Sequence, residues 1–278
     1  MVYSTYTQAE NLREATQDRF SVGRVRGKEM IKNTGASDET AVQKEYVCRL
    51  RSKQSNIDYN TYKFYNKGKG FRFLKFLHRS VANVFLRAYL KCVHRVKVIG
   101  KENAAALRKS GAVIVSNHIH PLDIQMIDTF VFGMRPVHWL TLQRNMDLSV
   151  RFFIRNSGGV PIPEDYAQRK RCFAEMRQLL QDGGLLHICP EGSLVELCDD
   201  IRPFKDGAFR FAFENRVPLL PVTLRFAETD KKGRKYRHPH FIIDVAEPIY
   251  PTVPQDKIKE KAQRVMRGKC NKLAVKKI

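Results

Sequence analysis

His118 and Asp123 are residues whose types and spacing can do chemistry. An imidazole five residues ahead of a carboxylate can be held with one ring nitrogen protonated toward the acid. The other nitrogen is then free to take a proton from a hydroxyl or thiol. This is the base half of a nucleophile–base–acid relay, and no nucleophile of the chain's own is evident, so the nucleophile would arrive on a substrate. The spacing leaves a second role open, since Asp123 also suits the positive end of a helix. His120 lacks a carboxylate at that spacing and reads as a residue that shapes the turn. A metal held by His118, His120 and Asp123 has no further ligand in view, and Pro121 stiffens the turn, so no metal is expected. Cys189 has no base partner and reads as a strand-end packing residue.

The elements around these residues follow from pattern. Ala112–Ser116 is an apolar, β-branched run that reads as a buried strand, and Pro121 opens an apolar-periodic helical stretch over Leu122–Phe132. His118 therefore falls at a strand's carboxyl end. Further strands are expected at Val96–Ile99, Val137–Leu142, Gly159–Ile162, Leu185–Cys189, Leu219–Phe226 and Phe241–Val245, with helices at Tyr166–Gln181 and Gly207–Glu214. Strands alternating with helices imply an α/β fold: a mixed, largely parallel sheet of about seven strands, covered by helices. Ligands of such sheets bind at the carboxyl ends of strands. There the sequence also places Pro190-Glu191-Gly192-Ser193 and, before a helix, Phe204-Lys205-Asp206-Gly207. Singly, Glu191 reads as a capping or ion-paired carboxylate and Lys205 as a surface cation.

Fifty Lys and Arg against 28 Asp and Glu give a net charge of +22, which attracts nucleic acid or an anionic membrane. The placement of the charge separates these. Between residues 67 and 101, cations including Arg72, Lys75, Arg79, Arg87 and Lys91 occur with no acid, interleaved with Phe73, Phe76, Phe85 and other apolar residues. The spacing predicts one long or two short amphipathic helices suited to a membrane interface and anionic lipid. The alternative is a helix whose apolar face packs on the core while its cations are solvated. No nucleic-acid-binding signature accompanies the charge, and no nucleic-acid partner is expected. The chain divides into a polar, loosely ordered N-terminal extension (1–66), the basic amphipathic segment (67–100) and an α/β domain with a basic C-terminal tail (101–278). No run nears the roughly 20 apolar residues of a membrane span, and the N-terminus lacks a signal peptide's apolar core, so the expected location is the cytoplasm. Six cysteines without a C-x-x-C pair read as reduced thiols.

Taken in order, four blocks resemble the glycerolipid acyltransferase family, which includes the 1-acylglycerol-3-phosphate acyltransferases. They are Asn117-His118 with Asp123, Gly159-Val160-Pro161-Ile162, Pro190-Glu191-Gly192-Ser193 and Val217-Pro218-x-x-Pro221-Val222, and the likeness extends over roughly residues 70–250. It implies acyl transfer from a thioester, acyl-CoA or acyl carrier protein, to a lysolipid hydroxyl at the cytoplasmic face of a membrane, with no bound cofactor. His118 would be the general base and Asp123 its orienting acid. Glu191, Gly192, Ser193 and Lys205 would bind the acceptor, and the amides of Gly158, Gly159 and Val160 would hold the oxyanion. The family carries an Arg after its second block and another after its third, where this chain has Pro163-Glu164-Asp165 and Leu194. The acceptor's phosphate would then be met by Arg169, Lys170, Arg202 or Lys205. Otherwise the acceptor is a lysolipid without a terminal phosphate, such as a lyso-aminolipid or lysophospholipid.

Overall fold

The computed structural model describes residues 57–108, 110–148, 150–230 and 232–275, with side chains described to residue 270. A seven-stranded sheet lies at its centre, with strand order β1-β7-β6-β2-β5-β3-β4. The strands are β1 (Lys97–Ile99), β2 (Ala112–Ser116), β3 (Val137–Leu142), β4 (Gly159–Ile162), β5 (Leu185–Ile188), β6 (Leu219–Thr229) and β7 (Lys235–Val245). Neighbours pair in parallel except β6 with β7, which form an antiparallel hairpin. This is the expected α/β sheet, with β6 and β7 several residues longer than their apolar cores indicated. The extra length is polar hairpin, closed by Asp230, whose carboxylate accepts the N–H groups of Lys232 and Arg234 at 2.9 Å each.

β2 is buried along its whole length. Its residues alternate between two apolar layers, with Val113 and Val115 in one and Ala112 and Ile114 in the other. Burying each of its larger aliphatic side chains contributes about 1.5–3 kcal/mol, which fixes the strand as the sheet's axis. The first layer includes residues from α5 (Tyr166–Gln181), α6 (Gly207–Glu214) and α7 (Gln255–Val275). On the other face lie α1 (Lys69–Val93), α2 (Lys101–Ala105) and α3 (Asp123–Ile127), which runs on as a π-turn over Asp128–Phe132. α4 (Arg151–Asn156) precedes β4.

Two expectations about the N-terminal third change. Residues 1–56, most of the expected loose extension, lie outside the described residues, but residues 57–66 belong to the domain. Tyr59, Tyr62 and Phe64 are buried in the first layer and contact one another, with Tyr62 edge-on to Phe64 at a 5.1 Å centroid separation. Arg171 of α5 donates to the carbonyls of Tyr59 and Tyr62 and locks them down. Three aromatics in six residues was the signal, overlooked because it has no helical or strand period.

The basic segment is one helix, and part of its basic stripe turns inward. Phe73, Phe76, Val84 and Phe85 are 58–73% exposed, whereas Arg79 is buried. The reason lies in what the helix covers. The π-turn ends at Gly133 with carbonyls that have no partner of their own in the turn. Arg79 donates to the carbonyls of Gly133 and Arg135 and forks onto Asp128, and Asn83 donates to Gly133 O at 3.0 Å. A polar stripe is what this docking site requires, so the apolar side is left outward. Arg79 and Lys75, expected among the membrane-facing cations, therefore face the domain, while Arg72, Arg87 and Lys91 are exposed.

Candidate active site

At the end of β2 the chain leaves the sheet through Asn117, and the amide of this residue explains the geometry of the next. Asn117 Nδ2 donates to Leu224 O at 2.9 Å and its Oδ1 accepts the Leu224 N–H at 2.8 Å. The side chain thus acts as one more ladder rung against β6 after the strand has ended. Held there, the backbone turns and delivers His118 to the carboxyl edge of the sheet. Nothing in the local sequence distinguishes this role of Asn117, whose partner lies 107 residues away.

His118 Nδ1 lies 2.6 Å from Asp123 Oδ2. Asp123 is fully buried, and its carboxylate also accepts the N–H groups of Ile119 at 3.1 Å and Ile124 at 2.6 Å. The acid is thereby fixed by backbone rather than by another side chain. Burial works against a charge on His118, but the field and hydrogen bond of Asp123, with help from Glu191, outweigh it and raise its pKa above the ordinary imidazole value of 6.5. Nδ1 carries the proton toward Asp123, so Nε2 is the basic atom, with no protein partner among the described residues. His120 does shape the turn: its Nδ1 accepts the Leu122 N–H at 3.1 Å, and burial lowers its pKa to about 4.

The third block packs beside the first. Glu191 is buried, and both its oxygens are committed. Oε2 accepts the His118 N–H at 3.1 Å and Arg202 Nη2 at 2.6 Å, and Oε1 accepts the Arg202 N–H at 3.1 Å. Arg202 Nη1 donates to Ser193 Oγ at 2.9 Å, and Nη2 also bonds Ser193 O. Glu191 is thus a positioning residue for the His118 backbone, and the expectation that it binds acceptor is corrected. Arg202, offered as a replacement phosphate ligand, is spent in the same cluster. Gly192 and Lys205 do sit together: Gly192 has φ +80°, and a β-carbon there would fall 2.5 Å from Lys205 Nζ. A side chain at 192 would be strained and would displace that cation.

Gly158, Gly159 and Val160 are not at this site. Register aligns Gly159 with Trp139, His187 and Ile114, four residues short of His118. β4 is also three strands from β2, which is about 14 Å across the sheet. The Gly158 N–H already donates to Arg155 O at 3.2 Å, so these amides do not form an oxyanion hole for His118. The glycines are there for packing. A β-carbon on Gly158 would meet Val137 O at 2.2 Å, and one on Gly159 would meet Ile154 Cγ2 at 2.5 Å. Cys189 is no nucleophile, since burial pushes its thiol pKa well above the ordinary value and it faces Ser116. Among the described residues no group of His, Cys, Asp and Glu side chains is arranged to hold a metal.

Residues 95–225, which contain this whole arrangement, match the family model Acyltransferase. Over these residues the chain is similar to that family. Two relatives are similar to it: a 1-acyl-sn-glycerol-3-phosphate acyltransferase from Saccharomyces cerevisiae, 26% identical over 180 residues (61% of this chain, 57% of the relative), and a probable enzyme of the same name from Mycoplasma pneumoniae, 28% identical over 145 residues (51% and 53%). The chain thus spans a little over half the length of each. Among solved structures, the 1-acyl-sn-glycerophosphate acyltransferase PlsC of Thermotoga maritima shares the fold, with a TM-score of 0.53 and 20% identity over 74% of this chain and 88% of that one. In this chain the first and third blocks are joined through Glu191, and the second is held apart at the sheet edge.

Proposed function

We propose that this chain is an O-acyltransferase that moves a fatty acyl group from a thioester, acyl-CoA or acyl carrier protein, to a lysolipid hydroxyl, most simply 1-acylglycerol-3-phosphate, giving phosphatidic acid. The observation that carries this is the pairing of half-buried His118 with fully buried Asp123, with Nε2 unengaged at the carboxyl edge of the sheet. The names of the relatives support the substrate class. His118 Nε2 takes the hydroxyl proton as that oxygen attacks the thioester carbonyl carbon. Asp123 stabilises the imidazolium, which returns the proton to the sulfur as the carbon–sulfur bond breaks. No acyl-enzyme is needed.

α1 lies on an anionic membrane through Phe73, Phe76 and Phe85, with Arg72, Arg87 and Lys91 meeting lipid headgroups at the cytoplasmic face. The exposure of these residues supports this reading. Among the described residues no helix is long and apolar enough to cross a membrane.

A second acceptor class is favoured by the phosphate ligands. Glu164 and Leu194 stand where the family pattern has arginines, and Arg202 is committed to Glu191. Arg169 is partly committed to the carbonyls of Pro163 and Glu164. Lys205 lies over Gly192, next to Glu191, and as a point charge it lacks the bidentate fork that an arginine offers a phosphate monoester. Acyl transfer from both donors to a panel of lysolipids, with His118→Ala as control, tests both readings. His118-dependent transfer to lysophosphatidic acid upholds the first, transfer confined to phosphodiester or phosphate-free lysolipids upholds the second, and no transfer refutes both.

A further inference from the structure

The far side of the β4 edge from His118 carries a concentration of positive charge that acyl transfer does not use. A shallow recess, open to solvent, is lined by Tyr62, Phe71, Lys75, His138, Arg155 and Gly159, among others. It contains no carboxylate. The acids nearest to it are engaged elsewhere: Asp128 with Arg79, and Glu175 with the Tyr65 N–H at 2.7 Å.

Its donors point to an anion. Arg155 is held between aromatic faces, its guanidinium carbon 4.5 Å from the Tyr62 centroid and 5.6 Å from that of Phe71, and it makes no ion pair among the described residues. Lys75 Nζ sits 3.3 Å from His138 Nε2. Burial, with Arg79 and Arg155 nearby, lowers the Lys75 pKa to about 8, and burial lowers that of His138 to about 3. A neutral His138 that accepts from Lys75 at Nε2 carries its proton on Nδ1, and Nδ1 is buried without a partner. The backbone adds a further donor. Because Trp139 N–H bonds to Gly158 O, the alternation of a parallel ladder leaves the Gly159 N–H on the outer side of an edge strand.

We propose that Lys75, Arg155 and the Gly159 N–H, beside His138, form a binding site for a phosphate monoester, occupied by the headgroup of an anionic lipid. The lipid is the source because the turns of α1 that supply Phe71 and Lys75 to the recess also put Phe73 and Phe76 into solvent, with no acid in the helix. An aqueous headgroup site beside an apolar helix face is the arrangement an interfacial lipid requires. The site is independent of the reaction proposed above, and its failure would leave that reaction untouched.

Trp139, the chain's sole tryptophan, is the reporter: its ring edge is 3.0 Å from where a Gly159 side chain would begin. The full chain is titrated with dihexanoyl phosphatidic acid below its micellar concentration, with inorganic phosphate and with dihexanoyl phosphatidylcholine, reading Trp139 emission. The expected result is saturable binding of the phosphatidic acid, weakened about tenfold or more by Arg155→Gln and by Lys75→Met and unchanged by Lys205→Gln, as loss of a charge-assisted phosphate contact requires. Both recess variants should melt within a few degrees of the parent, since neither cation has an ion-pair partner to lose. Equal affinity for inorganic phosphate would uphold the site and make its source soluble. Binding that resists both recess substitutions, that responds to Lys205→Gln instead, or that is absent for every phosphate overturns it.

Discussion

Arg202 Nη2 bonds the same Glu191 oxygen, at 2.6 Å, that accepts the His118 N–H at 3.1 Å. A charge pair in one loop therefore sets the backbone that carries the imidazole in another. The Glu191 side chain is 1% exposed and that of Arg202 13%, so neither ion has water to fall back on. Glu191→Ala should cost about 3–5 kcal/mol in denaturant unfolding, because it strands a buried guanidinium. Glu191→Gln, which keeps the N–H acceptor, should cost less and lower kcat more than it raises KM. Equal rates for the Gln variant and the parent would show that the His118 backbone is held without this charge.

His118→Ala should lower acyl transfer by about 10²–10⁴-fold, the range of a lost general base, while circular dichroism and the melting profile stay native. Wild-type turnover in that variant would remove the mechanism.

Activity and stability should respond to pH in opposite directions through His118. As a base it must be neutral, so the rate should rise with pH through a pKa above 6.5. Its folded pKa is raised, so the stabilisation from the charged pair is fully present below the unfolded value near 6.5. It is lost as pH rises through the folded one. In Asp123→Asn, burial remains without its compensating charge, and the midpoint of the rate profile should move to acid. A pH–rate profile of both proteins, beside urea unfolding at three pH values, measures this.

Arg79→Met should destabilise the fold by about 3–5 kcal/mol, since Asp128 would be left buried alone. Asp128, whose pKa burial already raises to about 6, can take a proton instead, so the loss should shrink in mildly acid solution. Urea unfolding at pH 5 and pH 8 reads the difference.

Replacing Phe73, Phe76 and Phe85 with Ser should each weaken binding to anionic vesicles severalfold or more, in line with about 1.5–3 kcal/mol per inserted aromatic. Sedimentation with vesicles rich in phosphatidylserine checks this, and the melting temperature should not fall, because these rings touch little protein.

Much of the sheet was legible in the sequence because β2 announces itself: Ala112–Val115 feed both apolar layers and are all apolar, and Ser116, at the strand's end, is its first polar residue. The His118–Asp123 spacing was legible for a similar reason, since the contact is local. Glu191 was misassigned because its partners, Arg202 and the His118 amide, lie 11 and 73 residues away, and nothing local distinguishes a clamp from a ligand. Arg79 reads as a membrane-facing cation because nothing local shows the carbonyls of Gly133 and Arg135 that lie beneath it. The aromatics at 59–64 were passed over because they pack as a loop, which has no period to detect.

Asp123, which steadies the imidazole, and Asp128, which receives α1 through Arg79, stand five residues apart on one continuous helical run. The helix is for that reason not an interchangeable module. A chimera that takes residues 67–93 from another protein must bring a long cation in register with position 79, or the run that ends in the orienting acid loses its far support. Recombination of this chain should respect that seam, and the unit of exchange is the block from 67 to 135 rather than the helix alone.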